Sequence, residues 1–154
     1  MSISIRSAVH NDLESIKRIE DSSFKYPYSR AFLRYLIGNA DVFLVAEVEE
    51  ATGLSIGGYV CGVIERFGGK AFGHIYSIAV DPKFRRRGIG TTLMREILKR
   101  FAEMGVEAVY LECRRSNIVA QRFYRKFGFK MVSVIANYYN DGEDAIVFKK
   151  DLRN

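Results

Sequence analysis

The chain has 154 residues, 48% hydrophobic and 27% charged, which suits a single soluble globular domain over 1–154 with one substantial core. Its apolar runs fall far short of the ~20 residues a membrane-spanning helix needs. The formal net charge of +6 admits a nucleic acid, an acidic protein surface or a phosphorylated cofactor as partner. The opening MSISIRSAVHNDLE lacks the apolar centre of a signal peptide, so the expected location is cytoplasmic. Cys61 and Cys113 stand inside apolar strand-like segments and read as reduced core thiols. With only His10 and His74 beside them and no Cys-x-x-Cys pair, no metal site is expected.

Ile3 to Ala8 reads as a short strand. Asn11-Asp-Leu-Glu14 has the cap-and-glutamate spacing of a helix start, with Leu13, Ile16 and Ile19 as the apolar stripe. The stretch from Asp21 to Ser29, containing FKYPYS, breaks that helix through Pro27. Ser29 reads as the cap of a second helix that carries Phe32, Leu33, Leu36 and Ile37 and stops at Gly38.

Three strand-like runs follow, Val42 to Val48, Ile56 to Glu65 and Phe72 to Val80, separated by Thr52-Gly53 and Gly68-Gly69, as in an antiparallel meander. After Gly88 comes a helix with Ile89, Leu93, Ile97 and Phe101 on its inner face, widened by Met94 and Leu98 and ended at Met104-Gly105. Ala108 to Cys113 reads as a strand, Ser116 to Phe127 as a helix ended by Gly128, and Phe129 to Ala136 as a strand. Asp141-Gly142 then turns the chain into Ala145 to Lys149. The order β-α-α-β-β-β-α-β-α-β-β predicts an α/β (α+β) fold, a mixed sheet with helices on both faces.

Basic residues crowd at Lys83 to Arg87, Arg114-Arg115 and Arg122 to Lys126, each beside a helix start or on a helix face. That clustering suits a local anion site better than a uniformly basic coat. In AVDPKFRRRGIGTTLMREIL a strand enters a helix through a basic, glycine-containing loop. The first turn of a helix has unpaired N–H groups and the positive end of its dipole, and glycine lets backbone approach a phosphate closely. The spacing Arg85-x-x-Gly88-x-Gly90 is neither a P-loop nor a dinucleotide fingerprint.

IAVDPKFRRRGIGTTLM resembles the acetyl-coenzyme A signature of the GNAT superfamily, the GCN5-related N-acetyltransferases, written Arg/Gln-x-x-Gly-x-Gly/Ala. YLECRRSNIVAQRFYRKFGFK resembles the second half of that fold, and NYYNDGEDAIVF resembles the C-terminal hairpin of the branch that acetylates protein N-termini. That branch includes the ribosomal-protein alanine acetyltransferases and their archaeal relatives. The resemblance covers essentially the whole chain and agrees with the order of elements.

It implies acetyl-coenzyme A as cofactor and protein N-terminal α-amines as acceptors, with ribosomal proteins or nascent chains as candidate carriers. A monomer or weak dimer without membrane or direct nucleic-acid contact is expected. Ile78, Ala79 and Val80 would pair with the pantetheine arm, and Arg86, Arg87, Gly88, Ile89, Gly90 and Thr91 would take the pyrophosphate. Asn117 matches a cofactor-contacting residue, although a helix cap explains it equally well. Tyr124 matches the tyrosine beside the cofactor sulfur, where a phenol can protonate the departing thiolate; its alternative is core packing between Phe123 and Phe127.

Two residues are candidate bases. Glu112 is an acid among apolar neighbours in VYLEC, costly unless partnered or working. His74 has a reference pKa suited to proton transfer near neutrality. Archaeal members resembling this sequence carry both, and the pair could hold a water that relays the amine proton; Glu112 ranks first. Deprotonating an α-amine near neutrality costs about 3.5 kcal/mol less than deprotonating a lysine, so a mild base suffices. Adjacent strand residues point to opposite faces, so Cys113 should face away from Glu112 and is not expected to act as a nucleophile.

Acceptor recognition would fall to Phe24, Tyr26 and Tyr28 of FKYPYS and to Tyr138 and Tyr139. Some archaeal relatives carry an acidic residue where Phe24 stands; phenylalanine there points to small termini such as Ser or Ala. Three rivals stand beside this reading: a nucleic-acid-binding module, an acetyltransferase for lysine side chains or small amines, and a cofactor sensor without turnover.

Overall fold

A computed structural model describes residues 2–153 of the chain. Seven strands run in the order β1-β2-β3-β4-β5-β7-β6. They are β1 (Ser2–Ser7), β2 (Val42–Glu50), β3 (Gly53–Phe67), β4 (Lys70–Val80), β5 (Ala108–Arg114), β6 (Lys130–Ile135) and β7 (Ala145–Asp151). The helices are α1 (Leu13–Ser23), α2 (Arg30–Asn39), α3 (Ile89–Glu103) and α4 (Ile118–Lys126). The order of strands and long helices is the expected one, and the sheet is mixed: β4 and β5 are parallel, while β1–β2, β2–β3, β5–β7 and β6–β7 are antiparallel.

The chain forms two compact units, Met1–Val63 with Ser77–Arg100, and Ile64–Tyr76 with Phe101–Asn154. In the first, Ile16, Ile19, Leu33 and Leu36 of α1 and α2 are fully buried, as are Leu44, Val45, Val60 and Cys61 of the strands and Ile89, Leu93, Met94 and Ile97 of α3. Gly57 and Gly58 set how closely α3 begins over β3. A Cβ on Gly58 would lie 2.9 Å from the Ala79 carbonyl oxygen and 3.0 Å from the Ile89 side chain, and one on Gly57 only 2.7 Å from Val48. In the second unit Phe101, Val109, Phe129 and Phe148 are fully buried, and Gly73 leaves room for the Phe101 ring, which a Cβ would meet at 2.8 Å.

Two helix boundaries differ from expectation. Asn11 does not cap α1; it lies in a short 3-10 turn, His10–Asp12. Asp12 instead accepts the Val9 N–H at 2.8 Å and binds both terminal nitrogens of Arg6 at 2.8 and 3.0 Å. Asp12 thus closes the 3-10 turn ahead of α1 and ties it to Arg6. Gly38 does not stop α2, which runs on to Asn39 and closes with the Ala40 N–H on the Leu36 carbonyl; Gly38 does not enter the left-handed region that makes glycine a helix stop. Ser29 does cap α2, its hydroxyl accepting the Phe32 N–H at 3.1 Å. Strands β2 and β3 run past their apolar residues because the ladder continues to Glu50↔Gly53 at the turn.

Candidate functional site

In the first unit, strand β4 leads through Asp81 and a 3-10 turn, Pro82–Phe84, into the basic loop. Asp81 donates its backbone N–H to the Gly57 carbonyl at 2.8 Å, and Phe84 is buried, so both ends of the turn are fixed. Arg85, Arg86 and Arg87 are exposed. Arg86 has φ 66° and Gly88 φ 80°, so the backbone alternates into the left-handed region, a local form that turns successive N–H groups toward one concavity. The first α3 bond runs from Thr92 N–H to the Gly88 carbonyl at 3.0 Å, which leaves the N–H groups of Ile89, Gly90 and Thr91 ahead of the helical ladder. A Cβ on Gly88 would meet nothing within 4 Å; the space beside it is open to a ligand. These features fit a pyrophosphate.

The same unit contains a buried carboxylate to which sequence reasoning assigned no role. Glu20 is 2% exposed and takes hydrogen bonds from the Tyr59 hydroxyl, from Ser77 Oγ at 3.0 Å and from the Tyr28 N–H at 2.9 Å. Lys17 Nζ holds the Tyr28 carbonyl at 3.0 Å. The FKYPYS loop is thereby pinned at Tyr28, while Phe24 and Tyr26 stay exposed. Burial and the Glu20 charge push the Tyr59 phenol well above its ordinary pKa.

In the second unit, His74 Nε2 lies 2.8 Å from Glu112 Oε1, and His74 Nδ1 lies 3.5 Å from Glu65 Oε2. The pair forms because the parallel ladder sets His74 beside Tyr110, and Glu112 is on the same face two residues on. Burial works against the imidazolium, but the hydrogen bond and charge of Glu112, reinforced by Glu65, outweigh it and raise the His74 pKa above its ordinary value. Sequence reasoning joined Glu112 and His74 but missed Glu65. The signal was there, since an acid in the run CGVIERF poses the same question as Glu112.

Register separates the remaining residues by face. Leu111 pairs with Phe148 and Cys113 with Ile146, whereas Glu112 pairs with Val147. The Tyr124 ring packs on Phe148 at 5.9 Å and on Phe129 at 6.0 Å, so it lies on the Cys113 face of β5, opposite Glu112. Burial, then the neighbouring Cys113, raises the Tyr124 pKa. Burial also pushes the Cys113 thiol up to about 11, which makes it a poor nucleophile near neutrality. Asn117 is the α4 cap, its Oδ1 accepting the Ala120 N–H at 3.0 Å.

Tyr138 and Tyr139 meet edge to face at 5.0 Å. Tyr138 is exposed; Tyr139 lies under the Arg114 guanidinium, 4.2 Å from its ring centre. Arg114 is held in turn by Asp141 at 3.0 Å and Glu143 at 2.8 Å, so the acidic turn fixes the tyrosines. Among the described residues no helix is long and apolar enough to cross a membrane.

Residues 8–129 match the model of the acetyltransferase (GNAT) family. The N-alpha-acetyltransferase of Sulfurisphaera tokodaii is 38% identical over 160 residues, covering 96% of this chain and 92% of its own. The crystal structure of Ard1 from Thermoplasma volcanium is 30% identical with a TM-score of 0.87, covering 100% of both chains. The ribosomal-protein-S18-alanine N-acetyltransferase of Escherichia coli shares the fold with a TM-score of 0.83 at 24% identity, over 99% of this chain and 96% of its own. With a family model matching residues 8–129, a relative 38% identical over nearly the whole chain and the expected order of elements, this chain belongs to the GNAT acetyltransferase family.

Proposed function

We propose that the protein transfers an acetyl group from acetyl-coenzyme A to the N-terminal α-amine of proteins, with residues 1–154 acting as one catalytic domain. The observation that carries this reading is the nearly chain-long similarity to an N-alpha-acetyltransferase at 38% identity. The His74–Glu112 pair at 2.8 Å adds chemical support: it is a mild base, adequate for an α-amine and poorly matched to a lysine, whose amine is about 3.5 kcal/mol harder to deprotonate near neutrality.

Acetyl-coenzyme A would supply the acetyl group as an activated thioester. Arg86, Arg87 and the N–H groups of Gly88 to Thr91 would hold its pyrophosphate, and Ile78 to Val80, beyond the last β4–β5 pair at His74↔Tyr110, would offer backbone groups to the pantetheine arm. Glu112 accepts the amine proton, directly or through a water, while His74 shares that proton. Tyr124, a phenol that is protonated near neutrality and whose pKa burial raises further, donates a hydrogen bond to the departing sulfur. A phenol above the thiol range suits that role better than complete proton transfer. Tyr138, Tyr139 and the exposed Phe24 and Tyr26 would receive the acceptor's first residues, with Phe24 favouring small termini.

Incubation with acetyl-coenzyme A and short peptides of differing N-termini, free and blocked, tests the reading by mass spectrometry. Acetylation confined to free N-termini is expected; acetylation of lysine side chains only, or none, overturns it.

A further inference from the structure

In the second unit the His74 ring stands between two carboxylates. Glu112 meets it from β5 at 2.8 Å and Glu65 from β3 at 3.5 Å, one at each ring nitrogen. On its own strand the Tyr76 ring lies 4.9 Å away, and Tyr138 feels the charge of Glu112 and the Tyr76 phenol. Glu65 is thus the second charged group aimed at the imidazole, and it comes from the side away from Glu112. Its carboxylate is 42% exposed, against 18% for Glu112, so it connects the imidazole to solvent.

We propose that Glu65 is a positioning residue for this reaction: by accepting the His74 Nδ1–H it fixes the tautomer and leaves Nε2 to share a proton with Glu112. The inference rests on the function proposed above. A neutral imidazole has one donor and one acceptor nitrogen. With the proton held on Nδ1 by Glu65, Nε2 is the acceptor. An amine proton taken up at Glu112 can then pass to Nε2, leaving an imidazolium between two carboxylates and a neutral amine to attack. The added proton then leaves from Nε2 back through Glu112 to water while Glu65 keeps the Nδ1–H, which returns His74 to its starting tautomer. Without Glu65 the ring can protonate at Nε2 instead, where its N–H would donate to Glu112 and block the uptake.

The chain has only two histidines, so nitrogen-15 spectra of histidine-labelled protein contain one pair of ring signals besides those of His74, and these, from His10, serve as the folding control. Glu65→Gln keeps an acceptor but removes the charge; Glu65→Ala removes both. Glu65→Gln should lower the His74 titration midpoint by roughly half a pH unit or more. Glu65→Ala should also redistribute the His74 tautomers and lower kcat about tenfold, less than the 10²–10⁴ that a general base itself supplies. Its KM for acetyl-coenzyme A should be unchanged, and Glu65→Asp should restore part of the rate. A His74 titration and tautomer indistinguishable from wild type in Glu65→Ala overturns the inference while leaving N-terminal acetylation by the wild type intact. A shifted titration with wild-type kcat overturns the positioning role. A wild type that acetylates no N-terminus overturns the proposed function, and this role with it.

Discussion

Tyr124 packs against Phe148, the strand partner of Leu111, and therefore lies on the face of β5 opposite Glu112. The candidate proton acceptor and the candidate hydrogen-bond donor to sulfur are separated by a strand rather than linked in one network. Their losses should then combine nearly independently, unlike residues that act as a unit. Glu112→Gln should lower kcat by roughly 10²–10⁴ with cofactor affinity unchanged, and Tyr124→Phe should lower it by a smaller factor. Steady-state kinetics of the two single variants and the double variant decide this. Factors that multiply are expected; a coupling above about 0.5 kcal/mol would contradict the separation.

The raised pKa of His74 also makes a stability prediction. A histidine whose folded pKa exceeds its unfolded value stabilises the fold fully below about pH 6.5, and that contribution is lost as pH rises through the folded value. Wild type should therefore exceed His74→Gln in Tm by more at pH 5.5 than at pH 9. Thermal melts of both proteins across that range give the answer; a gap that is constant or widens with pH contradicts the two-carboxylate environment.

The order of elements was legible because each long helix and strand has its own period and its own punctuation: Ser29 before α2, Gly105 after α3, Asp141-Gly142 before β7. The basic loop was legible as a local motif. What the sequence hid were contacts between segments far apart in the chain. Glu20 meets Tyr59 and Ser77 across 39 and 57 positions, and Glu65 reaches His74 only because a hairpin folds β3 beside β4. Asn11 was misread as the α1 cap because no local pattern shows that the helix begins after Asp12, which Arg6 holds. The assignment of Tyr124 and Glu112 to opposite faces needed the register of β5 on β7.

Glu20 should prove more important to the loop than its position inside α1 implies. Its carboxylate takes three hydrogen bonds while almost wholly buried. Glu20→Ala would strand those donors at a cost of roughly 1–3 kcal/mol for each group left unsatisfied. Urea unfolding should show that loss, and the KM for peptide should rise more than the KM for acetyl-coenzyme A, because the Tyr28 N–H that Glu20 holds belongs to FKYPYS. Equal changes in the two KM values would mean that the loop does not meet the acceptor.

Arg86 and Gly90 offer opposite tests of the anion loop. Arg86 adopts φ 66°, a conformation that costs a non-glycine residue about 1–2 kcal/mol, and its guanidinium is exposed. Strain kept at an exposed charged residue is consistent with a function for that residue. Arg86→Gly relieves the strain, offset in part by the roughly 0.5–1 kcal/mol entropy cost of glycine. Its Tm should equal or exceed that of wild type while affinity for acetyl-coenzyme A falls. Gly90→Glu should act without any help from strain: it sets a carboxylate at the first turn of α3, where the N–H groups of Ile89 to Thr91 precede the helical ladder, and near-complete loss of cofactor binding is expected. Calorimetric titration with acetyl-coenzyme A, paired with melts, reads both variants. An Arg86→Gly protein that binds as wild type, or a Gly90→Glu protein that retains affinity, would place the phosphates somewhere other than this loop.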